Sequence, residues 1–201
     1  GPLAAGLAHL DAIRARAARL TPPSARRILE VGSGTGQFLV QVAAVPGRRV
    51  YGVDRRRWDT GTGRPVRFNI QNSEFKVPRE AGPVAKALNL ESGIWNPTVL
   101  ADAVRLPFRA GAFDAVFCVN TLQVLDPART ARALSELARV AGPGAPVVVT
   151  IPNRDNPVLR ARLWSRRADD RAHAFRAADI LRRLEAAGAA PLGLESVLVP
   201  P

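Results

Sequence analysis

The chain has 201 residues, of which 47% are apolar, enough for the core of one domain and too few for a second full one. Lys and Arg total 29 against 17 Asp and Glu, and the net charge of +12 favours anionic partners. Arginine supplies nearly all of this charge, and no nucleic-acid-reading module accompanies it, so nucleic acid is not the favoured partner.

The sequence also bears on cellular location. No stretch reaches the roughly 18 consecutive apolar residues of a membrane span, and the sections of a signal peptide are missing, so we expect a cytoplasmic protein. Residues 1–2, in a chain without methionine, are typical of the scar of a cleaved expression tag. Cys118, the single cysteine, lies in an apolar run and is expected to be a small core residue.

The first predicted element is an N-terminal helix. Between Leu3 and Leu20, apolar residues recur three and four positions apart, which predicts an amphipathic helix. Thr21-Pro22-Pro23-Ser24 then ends it, because proline cannot donate to a helical ladder. Residues 3–23 are therefore predicted to form a helix and linker, and residues 24–201 the main domain.

A strand, a glycine turn, a helix and a second strand follow. Arg27–Val31 is a short apolar run that ends in the turn Gly32–Gly36, and a helical pattern follows from Phe38 to Ala43. Arg49–Asp54 then indicates a second buried strand that closes on an acid. This βαβ unit predicts parallel strands joined by a right-handed crossover.

The alternation continues to the end of the chain. Residues 55–82 break the pattern and are predicted to be an insertion, and the arginine-rich segment 153–171 is a candidate lid. The remaining predicted elements are a helix at 83–92, strands at 99–102, 113–120 and 146–151, helices at 127–140 and about 177–187, and a strand at 192–199. The expected fold is α/β, with a mostly parallel central sheet and helices on both faces.

The strongest motif is the run Glu30-Val31-Gly32-Ser33-Gly34-Thr35-Gly36 between the first strand and its helix. Glycines there let the backbone pass close under a ligand. A dinucleotide fingerprint would place its third glycine at position 37, which is Gln37, so the spacing argues against a nicotinamide enzyme. Asp54 closes the second strand, where a carboxylate can accept hydrogen bonds from both hydroxyls of a ribose.

Together with Asp102-Ala103, Leu106-Pro107-Phe108 and Phe113-Asp114, these motifs resemble the class I S-adenosylmethionine-dependent methyltransferases, within them the type 11 small-molecule group. The resemblance implies a Rossmann-like fold, S-adenosyl-L-methionine as cofactor and S-adenosyl-L-homocysteine as product. It implies that the glycine turn wraps the methionine end of the cofactor and that Asp102 approaches the adenine amino group. The expected cofactor-binding residues are Glu30, Gly32, Ser33, Gly34, Gly36, Asp54, Arg55, Asp102, Ala103 and Asn120.

No catalytic base is evident. Gln123 borders the implied position of the transferred methyl, but a neutral amide cannot take a proton at neutral pH, and His173 is a lone histidine before the last helix. These two residues are the weak catalytic candidates, and ordinary structural roles fit both. No metal is expected, because the two histidines and one cysteine offer no zinc spacing.

The predicted reaction is methyl transfer by in-line displacement to a small-molecule acceptor, such as an anionic secondary metabolite. Two alternatives stay open: an RNA methyltransferase, and a non-catalytic cofactor-binding partner or regulatory subunit. Two arginine groups border the predicted site and serve either as a solvated surface or as a clamp for an anionic substrate. They are Arg55, Arg56 and Arg57, and Arg160, Arg162, Arg166, Arg167 and Arg171.

The end of the chain carries one predicted strand where the resemblance implies two. We therefore expect a sheet that lacks its last edge strand, or one that a homodimer or a partner chain completes, because an uncovered edge invites pairing.

Overall fold

The computed structural model describes residues 2–58, 65–66, 99–155 and 175–195. Its four helices are α1 (Pro2–Arg19), α2 (Gln37–Ala43), α3 (Pro127–Val140) and α4 (Ala177–Ala186). Its strands are β1 (Arg27–Val31), β2 (Arg49–Asp54), β3 (Arg57–Trp58), β4 (Pro65–Val66), β5 (Val99–Leu100), β6 (Ala115–Val119) and β7 (Val147–Thr150). A 3-10 turn covers Leu122–Val124.

Five strands form the central sheet, in the order β5-β2-β1-β6-β7, and every pairing in it is parallel. The chain builds outward from β1 in one direction through β2 and β5, then returns to the other side of β1 for β6 and β7. The order therefore reverses between β1 and β6, and ligands of such sheets bind at the carboxyl ends of the strands beside that point. The predicted α/β sheet is confirmed.

The core lies on both faces of this sheet, because neighbouring strand residues point to opposite sides. Ile28 packs with α1 and α2 residues, whereas Leu29 packs with α3 and α4 residues, and both side chains are fully buried. Strands covered on both sides carry continuous apolar runs, as β1 and β6 do. Cys118 belongs to this core as predicted, and burial raises the pKa of its thiol to about 12.

The bounds of α3 match the prediction at both ends, and those of α1, α2, β1, β2 and α4 differ from it by one residue at most. β5 is shorter than predicted, because Asp102 leaves the strand for a turn closed by the Arg105 N–H on the Asp102 carbonyl. β6 likewise starts at Ala115, after Phe113 has bridged to Ala141.

The segment 55–82, predicted to be an insertion, contains the short antiparallel pair of β3 and β4. The strand predicted to start at 192 is absent from 192–195, where no neighbouring strand pairs with the backbone and the Glu195 carboxylate binds Arg16 on α1. The predicted helix at 83–92, most of segment 153–171, His173 and residues 196–199 lie outside the described residues. In the part of the chain that the structure describes, no helix is both long and apolar enough to cross a membrane.

Candidate functional site

The glycine turn after β1 adopts backbone conformations that glycine alone takes without strain. Gly32, Gly34 and Gly36 have φ of +79°, +53° and +78°, all in the left-handed region. A Cβ on Gly32 would lie 2.0 Å from Thr121 Oγ1, so a side chain is also excluded there by contact. Thr121 follows β6, so this close approach brings the turn against the neighbouring strand end at the switch point.

The other two glycines face open space. An ideal Cβ on Gly34 or Gly36 meets no heavy atom of the described residues within 4 Å. Gly36 is also the N-cap of α2; no side chain in the described part of the chain caps the helix start, and no acid lies in its first turn. Free N–H groups at a helix start attract anionic groups. The turn is thus an open cradle, which a ligand with a carboxylate would complete.

Asp54 fastens the end of β2 to the turn. Its Oδ2 accepts a hydrogen bond from the Gly34 N–H at 2.9 Å, and its Oδ1 accepts one from the Arg56 N–H at 2.9 Å. A carboxylate has about two acceptor positions on each oxygen, so both oxygens keep capacity for a ligand hydroxyl. The half-buried Asp54 side chain is therefore held in place while some of its hydrogen-bond acceptor positions stay available.

Glu30 is the buried acid of the site. It is 3% exposed, and its Oε2 has no hydrogen-bond partner among the described residues. Burial raises the pKa of this carboxyl well above its usual value; the charge of Arg14 opposes the rise and that of Asp54 adds to it. Ser33 Oγ, in the adjacent turn, is likewise buried without a partner in the described part of the chain. Because buried polar groups are normally hydrogen-bonded, these two call for partners that a ligand would supply.

Asp102 lies two residues beyond β5, in the turn beside Asp54. Its Oδ1 accepts from the Val104 N–H at 3.2 Å, and its Oδ2 accepts from Arg129 Nη2 at 2.5 Å. Burial raises its pKa, but the bonds from Arg129 and Val104 and the charges of Arg129 and Arg55 outweigh burial, so the pKa lies below its ordinary value. This carboxyl is therefore ionised at neutral pH.

Two residues of α3 brace the chain that follows Asp102. Glu136 Oε2 accepts from the Leu106 N–H at 2.6 Å, while Arg139 donates to the Phe108 carbonyl at 2.8 Å and to the Leu106 carbonyl at 3.1 Å. Ala103, at the start of this segment, is buried. The segment's backbone is thus fixed by side chains about thirty residues away in sequence.

Asn120 marks the end of β6 with an unusual backbone. Its φ is +52°, a conformation that asparagine tolerates better than most residues. Its N–H donates to Thr150 Oγ1 at 2.9 Å, which ties the end of β6 to the end of β7. Gln123, in the following 3-10 turn, has its Oε1 buried without a partner among the described groups.

The topology brings the predicted cofactor residues to one edge of the sheet. Glu30, Asp54 and Asn120 lie at the carboxyl ends of β1, β2 and β6, and Asp102 follows β5. Arg55 and Arg56 are exposed beside Asp54. The second arginine group and His173 lie outside the described residues. Sequence reasoning missed Arg129, Glu136 and Arg139, since no pattern links residues of a helix to a turn so far away.

A family model described as a methyltransferase domain matches residues 7–192. The chain belongs to the class I S-adenosylmethionine-dependent methyltransferases. The methyltransferase domain is 33% identical over 152 residues to a demethylmenaquinone methyltransferase of Roseiflexus castenholzii, covering 75% of this chain and 53% of the relative. It is 28% identical over 131 residues to an O-methyltransferase of Aspergillus nomiae, covering 65% and 48%.

Among solved structures, the methyltransferase domain resembles the 1,6-didemethyltoxoflavin-N1-methyltransferase of Burkholderia thailandensis. The TM-score is 0.62 at 20% identity, with 96% of this chain and 72% of the other covered. That structure holds 1,6-didemethyltoxoflavin and S-adenosylhomocysteine. At this identity the likeness shows the fold. The chain spans about half the length of the curated relatives it matches.

The cofactor of this family, S-adenosylmethionine, fits the residues of the site. Its amino acid end carries a carboxylate and an ammonium group, for which the uncapped start of α2 and the buried Glu30 carboxyl are suitable partners. Its ribose has two hydroxyls, and Asp54 has the acceptor capacity for them. The open space over Gly34 and Gly36 leaves room that a Cβ would fill.

Proposed function

We propose that the protein transfers the methyl group of S-adenosylmethionine to a small-molecule acceptor. One observation carries the proposal: the cradle over Gly34 and Gly36 opens beside Asp54, whose carboxylate is fixed by two backbone N–H groups yet keeps acceptor capacity. The relatives described above support the small-molecule class, since their names include a menaquinone precursor and a toxoflavin precursor.

The bound cofactor supplies the chemistry, because its methyl group sits on a positively charged sulfur that leaves readily in an in-line displacement. The residues of the chain then have to bind and orient. Asp54 accepts hydrogen bonds from the ribose, and Asp102 accepts one from the adenine amino group. Glu30 places a buried carboxyl under the amino acid end as a hydrogen-bond partner for its ammonium group, and Ser33 and Gly32 complete the turn around it. Ala103 supplies the backbone against the adenine ring.

Orientation is the main contribution of such a site, since alignment of reacting groups lowers the barrier by as much as roughly 7–11 kcal/mol. Asn120, at the end of β6, faces the cofactor. Gln123 lies further along, beyond Thr121 and the glycine turn, and we assign this side of the site to the acceptor. Gln123 has an amide oxygen without a partner in the described region, which suits orientation of an acceptor hydroxyl or amine. Because Gln123 cannot take a proton, deprotonation comes from the acceptor's own acidity, from water, or from a residue outside the described part of the chain, such as His173.

An anionic acceptor is the finer proposal. Arg55 and Arg56 are exposed beside Asp54, and forked guanidinium groups bind carboxylates or phosphates in pairs of hydrogen bonds. The same charge would serve RNA, so the two acceptor classes have to be separated by experiment. RNA binding through phosphates weakens steeply with added salt, whereas a single carboxylate contact responds weakly.

Calorimetric titration with S-adenosylmethionine and S-adenosylhomocysteine tests the cofactor site, comparing the wild type with Asp54→Ala and Asp179→Ala. Asp179 is a matched control, because it is an acid that pairs with Arg182 on α4. We expect dissociation constants in the micromolar range, about −8 kcal/mol, for the wild type and the control, and weaker binding by at least about tenfold for Asp54→Ala. A melting curve of each variant separates lost binding from lost folding.

The acceptor is then sought by following transfer of a labelled methyl group to phenols, quinols, amines and RNA. Transfer to small molecules supports the proposal. Salt-sensitive transfer to RNA would instead support the alternative, an RNA methyltransferase. Tight cofactor binding without transfer to any acceptor would favour a regulatory subunit. An absence of cofactor binding by the wild type would refute the proposed function.

A further inference from the structure

A salt bridge joins the turn after β5 to the start of α3. Arg129 Nη2 lies 2.5 Å from Asp102 Oδ2, and the Val104 N–H holds the other carboxylate oxygen. The Arg129 and Asp102 side chains are 35% and 33% exposed, so the pair lies at the boundary between protein and solvent. The carboxylate is fixed in direction, and each oxygen keeps one acceptor position free.

The position of Arg129 is unfavourable for the helix itself. It is the third residue of α3, and its backbone N–H is capped by Asp126 Oδ1 at 2.9 Å. A cation in the first turn faces the positive end of the helix dipole, where acids are preferred. Local helix chemistry therefore does not account for an arginine here, whereas its bond to Asp102 does.

We propose that Arg129 is a positioning residue for base recognition: its guanidinium holds the Asp102 carboxylate so that it accepts a hydrogen bond from the 6-amino group of adenine. The inference rests on the proposed function, which assigns Asp102 to the adenine. An amino group donates where a 6-oxo group accepts, so a fixed acceptor opposite position 6 favours adenine over hypoxanthine.

The charges around Asp102 give this role a distinct signature. Among the described residues, Arg129 and Arg55 are the charged groups that act on the Asp102 carboxyl. Without Arg129, the pKa of that carboxyl rises, because one of two favourable charges and a direct hydrogen bond are lost. Base recognition then weakens at mildly acidic pH as the carboxyl takes up a proton. A residue that only braced the fold would leave this titration unchanged.

Arg139 provides a matched control on the same helix. It donates to the Phe108 and Leu106 carbonyls, so it braces the segment that follows Asp102 without bonding to Asp102 itself. Arg129→Met and Arg139→Met each remove one positive charge from α3 and one set of hydrogen bonds to the segment from Asp102 to Phe108. Only Arg129→Met frees the Asp102 carboxylate.

The experiment compares S-adenosylhomocysteine with S-inosylhomocysteine, its 6-oxo analogue, by calorimetry between about pH 7 and about pH 5. We expect the wild type to prefer the adenine compound by roughly ten- to a hundredfold, the range for one hydrogen bond to a charged group. Arg129→Met should reduce this preference by about tenfold and make the remainder fall with pH. Arg129→Lys should retain more of the preference for the adenine compound than Arg129→Met does. Asp102→Asn should lose this preference, and Arg139→Met should keep it.

The outcomes separate this inference from the proposed function. Equal preference in the wild type and Arg129→Met, with cofactor binding intact, overturns the role of Arg129 alone. Loss of preference in Arg139→Met as large as in Arg129→Met overturns it as well, since general bracing would then be the cause. Failure of the wild type to bind either compound overturns the proposed function and this inference together.

Discussion

Substituting Gly32 by alanine should destabilise the fold through two separate effects. Its φ of +79° lies in the left-handed region, where an L side chain costs about 1–2 kcal/mol. The added Cβ would also lie 2.0 Å from Thr121 Oγ1. Thr121 is branched and its hydroxyl donates to the Val119 carbonyl, so it yields poorly, and overpacking of this kind costs about 1–3 kcal/mol. The sum is about 2–5 kcal/mol of unfolding free energy.

Gly34→Ala is the matched control, since its φ is +53° and no atom of the described residues lies within 4 Å of a Cβ, which leaves the backbone cost alone. Thr121→Gly removes the three atoms nearest to the Gly32 Cβ, so the double variant Gly32→Ala/Thr121→Gly should be more stable than the two single effects predict, by about 1–3 kcal/mol. Equilibrium urea unfolding measures all four variants. A Gly32→Ala variant as stable as Gly34→Ala, or strictly additive effects in the double variant, would refute this reasoning.

Two further predictions concern buried and paired acids. Burial in the folded state raises the pKa of Glu30 above its ordinary value of 4.5. The free energy of unfolding of the wild type should therefore fall as the pH rises from 4.5 through the raised pKa. Glu30→Gln should abolish this fall, so the variant should melt at a higher temperature at neutral pH and bind the cofactor less tightly. Asp114 accepts hydrogen bonds from two backbone N–H groups and pairs with Arg27, and these contacts lower its pKa to about 2. Its contribution to the free energy of unfolding is therefore complete above the unfolded pKa near 3.8 and is lost as the pH falls toward 2. Asp114→Asn should cost about 1 kcal/mol at neutral pH and nothing near pH 2, as acid titration of stability would show; unchanged stability at neutral pH would contradict the assignment.

Local chemistry was enough to predict much of the fold. Proline at the start of α3 cannot donate, and the apolar stripe of that helix runs unbroken to Val140, so both ends of α3 could be predicted from the sequence. β2 has a buried run bounded by a proline-glycine turn and an acid, which fixed both of its ends to within a residue. The parallel pairing of β1 with β2 could likewise be predicted, from the βαβ pattern.

The sequence could not predict features that depend on contacts between distant residues. β5 has only two paired residues, because its length is decided by where β2 offers a partner and by the turn at Asp102. The same applies to Arg129, which lies 27 positions from its partner Asp102, and to Thr121, which lies 89 positions from Gly32. In the candidate site, the motifs therefore located the acids and glycines, and the side chains that hold them emerged from the packing.

Helix α3 contacts the segment from Asp102 to Phe108 near both of its ends, through Arg129 in its first turn and Glu136 and Arg139 in its last. The helix also packs against α4, whose Arg183 donates to the Pro127 carbonyl at the start of α3. Helix α3 therefore connects α4 to the segment that we propose as one side of the adenine site. If that proposal holds, a molecule that displaced α4 would change the affinity for the cofactor without contacting the cofactor.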